Sequence, residues 1–166
     1  DNLAKRLGGQ TNTIGGFFSF FMVFYVSQTW QRFNKQYFNS MSCEGRIFDA
    51  CSIARAIGMP QESCLRLQRY MNSAHLLAYI GLSSTYTNEN YFEPFNKDFM
   101  LLTDKEVERM RAIDMNVGGS AYREAIVWAL NVVHEEYVKG SIDTFDKQML
   151  FNQICTLRGK VATLYD

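Results

Sequence analysis

The chain has 166 residues, enough for one domain with a substantial hydrophobic core. Its 17 Lys and Arg residues balance 17 Asp and Glu residues, which argues against a generally basic nucleic-acid-binding protein. A hydrophobic fraction of 47% excludes a disordered chain, and 13 Phe and nine Tyr are more aromatic side chains than a soluble helical domain needs. The composition therefore indicates a membrane segment or a large interface.

The N-terminal segment carries no charge between Arg6 and Arg32. Its centre, residues 14–26, reads IGGFFSFFMVFYV and is flanked on both sides by polar but uncharged residues. As a helix the uncharged run would be about 37 Å long, although its strictly apolar part falls short of the roughly 20 residues of a lone transmembrane helix. The pattern favours a membrane helix that meets water at both ends. The alternative is a core helix of a soluble all-α interaction domain.

The middle of the chain shows helical spacing from Trp30 onward. One apolar face ends where Gly58-Met59-Pro60 predicts a helix stop, and a second face follows. The two faces consist of Ile47, Cys51, Ala54 and Ile57, and then of Cys64, Leu67, Met71, Ala74 and Ala78. Residues 74–80 are apolar on nearly all sides, which predicts burial. Residues 83–99, which are polar and aromatic and contain Pro94, are predicted to form a loop.

The C-terminal half has clearer helix signals. Thr103 and Glu106 form a capping-box pattern, and Gly118-Gly119 is predicted to break the chain before a helix from about residue 121 to 138, which Gly140 ends. A last helix is predicted from the a/d seam Leu150, Ile154, Leu157, Val161 and Leu164. Since no strand pattern competes, the predicted fold class is all-α.

Motifs for catalysis are missing from the sequence. It contains no P-loop, no dinucleotide-binding glycine pattern, no H-E-x-x-H and no G-x-S-x-G. His75 lies in an apolar helix and is predicted to be a core histidine, whereas His134 with Glu135-Glu136 is predicted on a solvated helix face. The four cysteines, at 43, 51, 64 and 155, lack metal-ligand spacing and are predicted to be buried reduced thiols in a non-secreted compartment. We therefore expect no enzyme, no metal and no cofactor in this segment.

Two motifs carry a resemblance to a known family. Residues 19–26, followed by Arg32 and Gln36-Tyr37, resemble the second transmembrane helix of the bestrophin anion channels, whose pattern is S-F-x-x-x-F-Y-V and then R-x-x-x-Q-Y. Near the end, residues 156–158 (TLR) and then Leu164-Tyr165 resemble the stretch before the family's third transmembrane helix. The separation of the two motifs also agrees with the family, so the resemblance spans most of the chain.

The resemblance implies an integral membrane protein built as a single bestrophin-like unit over residues 1–166. A membrane pore helix at about 8–31 would precede a helical cytosolic region at 32–166. Five copies would surround one pore for chloride or similar small anions. The implied partners are other copies in a homo-oligomer or larger membrane complex, membrane lipid and small anions, without nucleic acid. Carried over by position, the pore neck consists of Gly16, Phe20 and Phe24, and the cytosolic aperture is Phe145.

These assignments have alternatives. Phe20 and Phe24 are also typical of an aromatic core or a lipid-facing stripe. Phe145, predicted beside a helix start capped by Asp143 or Thr144, also suits an ordinary first-turn core contact. The pair Gly15-Gly16 is predicted to start or bend the helix, so that N–H groups at Gly15, Gly16 and Phe17 attract anions; the alternative is close helix packing.

Two departures from the family pattern matter. The family usually has Ile where this chain has Gly16 and Pro where it has Phe17, so a ring of glycines would widen one constriction. The family's calcium clasp would lie beyond Asp166, and calcium is therefore expected to act only through residues outside this segment. We also expect the chain to be a piece of a longer polypeptide. The alternative function is a non-conducting structural subunit of a larger membrane complex, derived from a bestrophin-like protein.

Overall fold

A computed structural model describes residues 2–82, 84–113 and 119–165, with side chains from residue 14 onward. The helices in this part of the chain are α1 (Asn2–Ala56), α2 (Gln61–Leu77), a short π-helix (Asn88–Phe92), α3 (Glu93–Phe99), α4 (Asp104–Arg111), α5 (Ser120–Val138) and α6 (Thr144–Ala162). No strand occurs among these residues, which confirms the all-α prediction. Gly118 of the predicted chain break lies outside the described residues.

The chain divides into two compact units, and the first is Asp1–Phe38. It consists of the N-terminal part of α1. Every side chain from residue 14 to residue 38 is exposed, except the half-buried Asn34. A single helix has no second element against which to bury an apolar face, so the aromatic residues of this unit remain uncovered within the chain.

The second unit, Asn39–Asp166, contains the hydrophobic core. Helix α2 packs against α5, and α5 packs against α6. The predicted apolar seam is buried over its whole length, although its last residue, Leu164, lies just after the end of α6, and Leu67, Met71 and Ala74 of α2 are fully buried as well. Burying a side chain such as Leu157 contributes about 1.5–3 kcal/mol, so each buried residue of these seams stabilises this unit.

The predicted helix boundaries in this unit are confirmed by cap geometry. Thr103 and Glu106 form a reciprocal capping box at the start of α4. Asp143, rather than Thr144, caps α6, because its carboxylate accepts a hydrogen bond from the Asp146 N–H at 2.8 Å. Gly140 follows α5 with a φ of 77°, a left-handed conformation that costs a residue with a Cβ about 1–2 kcal/mol.

The prediction of a loop over residues 83–99 is wrong from Asn88 onward. The π-helix begins after Thr87, whose hydroxyl accepts a hydrogen bond from the Asn90 N–H at 3.2 Å. Pro94 lies in the first turn of α3, where a helix does not need the N–H that proline lacks. A polar, proline-containing sequence therefore forms two short helices, and α3 ends at Phe99, where the next residue, Met100, has a φ of 49°.

Candidate functional site

The predicted neck residues lie on one face of α1. The rings of Phe20 and Phe24 stack with centroids 6.5 Å apart and planes at 17°, as expected for side chains four residues apart. They are 65% and 56% exposed. A Cβ built on Gly16, one turn earlier, would meet nothing within 4 Å, so this face is open at the glycine.

Of the two alternatives predicted for Gly15-Gly16, a helix start or a bend, the helix start is wrong. Helix α1 begins at Asn2 and continues through Gly15, Gly16 and Phe17. Their N–H groups therefore lie in the interior of a helix, where each is directed at a carbonyl one turn earlier, and not among the four unsatisfied donors of a helix N-terminus. The intrinsic cost of glycine in a helix did not outweigh the helix-forming residues on either side.

A second aromatic stripe on α1 was missed by the sequence reasoning. Trp30 stacks on Phe33 with centroids 5.9 Å apart, and Phe33 stacks on Tyr37 at 6.4 Å. At 3.6 residues per turn this stripe lies roughly 130° around the helix from Phe20 and Phe24. The spacing of three and then four residues was the available signal. The exposed part of α1 thus carries two aromatic faces that point in different directions.

Phe145, the predicted aperture residue, lies in the second unit. It is the second residue of α6, two positions after the Asp143 cap, and it is 74% exposed. The buried neighbours Ile142 and Leu150 hold the start of this helix against the core. The alternative of a first-turn core contact is therefore wrong, and the ring of Phe145 is free to meet a partner or a solvent-filled space.

Helix α5 carries a buried carboxylate near its C-terminal end, that of Glu136. Glu136 was predicted on a solvated face, but it is only 1% exposed. Its Oε1 accepts hydrogen bonds from the Ser63 hydroxyl at 2.9 Å and from Lys139 Nζ at 2.7 Å, whereas Oε2 is buried and has no hydrogen-bond partner among the described residues. Burial alone would raise the pKa of Glu136, but the bonds from Lys139 and Ser63 outweigh it and lower the pKa below its usual value.

The two histidines behave as predicted. His134 is exposed, and His75 is buried between α1 and α2. His75 Nε2 lies 3.1 Å from the Tyr79 hydroxyl, which lies 2.5 Å from Ser40 Oγ on α1. Burial lowers the pKa of His75, so its imidazole is neutral at pH 7. The network satisfies a core histidine and connects two helices.

The cysteines match the prediction in part. Cys43 and Cys64 are buried and Cys51 is half-buried, whereas Cys155 is exposed on α6 because it lies off the apolar seam of that helix. Burial raises the pKa of the Cys43 and Cys51 thiols to about 11, as desolvation penalises the thiolate. Among the described residues no group of three metal-ligating side chains comes together.

A protein-family model described as "Bestrophin, RFP-TM, chloride channel" matches residues 1–166, the whole chain. The chain therefore belongs to the bestrophin family, a family of membrane-embedded chloride channels and not of enzymes. Searches of curated proteins and of solved structures gave no significant match.

Over the part of the chain that the structure describes, no helix is both long enough and apolar enough to qualify as a membrane-crossing span.

Proposed function

We propose that this chain is a subunit of a pentameric, bestrophin-type channel for chloride and similar anions. Residues 8–31 would form the membrane pore helix, and residues 32–166 the cytosolic body. Gly16, Phe20 and Phe24 would form the neck of the pore, and Phe145 its cytosolic aperture. Family membership supports the channel class, and the exposed stack of Phe20 on Phe24 is the observation that carries the assignment of the neck.

An uncovered apolar surface of this size needs a partner. From Ile14 to Val26 the large apolar side chains are all more than half exposed, and exposed patches of this kind mark interaction or membrane sites. The two aromatic faces of α1 fit a ring of copies, because one face can line the axis while the other meets lipid or a neighbouring copy. A soluble interaction domain would instead bury this segment within its own core.

The chemistry of the neck follows from the phenyl ring. Its edge carries a partial positive charge, so rings of phenyl edges attract an anion without holding it tightly. Conduction requires such weak sites, and an apolar constriction also closes by dewetting. At Gly16 a ring of glycines would be wider than a ring of Ile, so gating would depend on Phe20 and Phe24.

The aperture would act on hydration. Phe145 projects from the first turn of α6, and an apolar ring at that point forces an anion to shed part of its water. Weakly hydrated anions lose less on dehydration than chloride does. The proposed aperture therefore favours thiocyanate over chloride.

The neck is tested by patch-clamp recording of the double variant Phe20→Ala, Phe24→Ala. We expect larger currents and weaker gating, with assembly preserved, because the side chains removed are exposed in the chain. Phe21→Ala is the matched control: Phe21 is similarly exposed but lies about 100° around the helix from Phe20 and about 60° from Phe24. Equal effects in the control and the double variant would contradict the assigned face.

The aperture is tested by the permeability ratio of thiocyanate to chloride in Phe145→Ala. We expect the ratio to fall while thermal stability is unchanged, since an exposed side chain leaves no closed cavity behind. Phe48→Ala, an exposed phenylalanine on α1, should leave the ratio unaltered. An unaltered ratio in Phe145→Ala would contradict the aperture. Assembled oligomers that pass no anion would favour the non-conducting structural subunit.

A further inference from the structure

A cavity of about 500 Å³ lies wholly within the second unit. None of the proposed neck or aperture residues lines it. Its apolar lining comes from Leu76, Phe95, Phe99 and Leu101, and its polar lining includes Glu44 on α1 and His75 on α2. Cavities of this size that are mainly apolar, with a few placed polar groups, are typical of small-molecule sites. The lining therefore identifies a candidate ligand site.

The aromatic wall of the cavity is held in place by neighbouring bonds. The rings of Phe95 and Phe99 stack with centroids 6.1 Å apart and planes at 18°. After Phe99 the chain turns through Met100 and is fixed by a hydrogen bond from Arg69 Nε to the Leu101 carbonyl at 2.9 Å. Leu102, the residue after Leu101, is held by two hydrogen bonds to the Asn96 side chain, which accepts one from the Leu102 N–H and donates one to the Leu102 carbonyl. The wall is thus formed before any ligand arrives.

The charges on the wall leave one group uncompensated. Arg69 forms an ion pair with Glu106 at 3.0 Å. His75 is neutral at pH 7, because burial lowers its pKa. Glu44 has no ion pair and no hydrogen bond to any other described residue. Of the two charged side chains that line the cavity, Arg69 is thus paired with Glu106, and the Glu44 carboxylate is the one that is unpaired among the described residues.

We propose that this cavity binds a small organic cation, an ammonium group on an apolar body. The faces of Phe95 and Phe99 would contact the cation through their π-electrons, and Glu44 would serve as the counter-ion. The apolar body would lie against Leu76 and Leu101. An anion of the same size would be repelled by Glu44 and would gain nothing from the ring faces.

The test measures binding of benzyltrimethylammonium to the full chain by isothermal titration calorimetry, without any recording of current. We expect saturable binding that is weakened about two- to fivefold by Phe99→Ala, the loss of one exposed cation–π contact. Glu44→Gln should weaken it about as much, and more salt should reduce the difference between Glu44→Gln and the unsubstituted chain. Both side chains are exposed, so the fold should persist, which circular dichroism checks.

Matched controls separate the site from general effects. Glu108→Gln removes an exposed carboxylate on α4, and Phe48→Ala removes an exposed ring on α1; neither residue lines the cavity, and neither change should alter binding. Benzenesulfonate, which has a similar size and the opposite charge, should not bind. Absence of saturable binding, equal binding of benzenesulfonate, or equal losses in the control variants would overturn the proposal. The channel function would stand in each of those cases, because conductance is not the readout.

Discussion

The buried Glu136 carboxylate makes Ser63→Ala a sharp test of how this unit is stabilised. The Ser63 hydroxyl is 4% exposed and donates to Glu136 Oε1 at 2.9 Å. Alanine removes only that oxygen, so the change in packing is small. A hydrogen bond to a charged group contributes about 1.5–3 kcal/mol, and we expect Ser63→Ala to lower the free energy of unfolding by about 2 kcal/mol. Denaturant titration followed by circular dichroism measures this loss.

A second buried serine on the same helix provides the control. Ser73 is fully buried, and its hydroxyl donates to the Arg69 carbonyl at 2.8 Å, a neutral contact within α2. Ser73→Ala should cost less than about 1 kcal/mol, because that carbonyl also accepts a helix hydrogen bond and alanine favours helix. Equal losses for the two variants would refute the view that the charge of Glu136 sets the cost.

The pH dependence supplies an independent check. The pKa of Glu136 in the folded chain lies below its ordinary value of 4.5, so its contribution is present above pH 4.5 and is lost as the pH falls through the folded pKa. Ser63→Ala removes one of the bonds that lower this pKa. The difference between the variant and the unsubstituted chain should therefore shrink in acid. A difference that stays constant or grows below pH 4.5 would contradict the charge argument.

Two further predictions concern glycines and thiols. Gly140→Ala should cost about 1–2 kcal/mol in the free energy of unfolding, since φ at Gly140 is 77°, whereas Gly45→Ala, within helix α1 and with nothing near its Cβ, should stabilise by about 0.5–1 kcal/mol. Cys155 should react first with a maleimide at slightly alkaline pH, because it is exposed, while pKa values of about 11 keep the thiols of Cys43 and Cys51 protonated. Mass spectrometry of the labelled peptides gives the order of labelling. Faster labelling at Cys43 than at Cys155 would contradict the burial of Cys43.

The fold of the second unit was predictable because its signals are local and periodic. The seam from Leu150 to Leu164 and the cap at Thr103 specify helices without any knowledge of distant residues, and both predictions are confirmed. The π-helix and α3 were missed, because Pro94 and polar residues are equally compatible with a loop. The burial of Glu136 was missed for a different reason. Its partner Ser63 lies 73 residues away in sequence, so no local pattern predicts their hydrogen bond.

The residues of the candidate site were also predictable only where the signal in the sequence is local. Spacing of four residues placed Phe20 and Phe24 on one face, and the structure has them stacked. The helix start at Gly15-Gly16 was a wrong inference from intrinsic propensity, which a long helix overrides. The cavity near Glu44 was beyond sequence reasoning, because its wall combines residues from α1, α2 and α3 that become neighbours only after folding. The neck and aperture themselves stay predictions.

Arg69 has a consequence for the order in which the chain folds. From α2 it reaches the Leu101 carbonyl and Glu106, which lie 32 and 37 residues further along, and Glu106 also accepts a hydrogen bond from the Tyr70 hydroxyl. The turn between α3 and α4 therefore depends on side chains made much earlier in synthesis. Closing such a loop costs entropy before these bonds form, so this turn should be acquired late. Loss of the Arg69 side chain would then accelerate unfolding more than it slows folding.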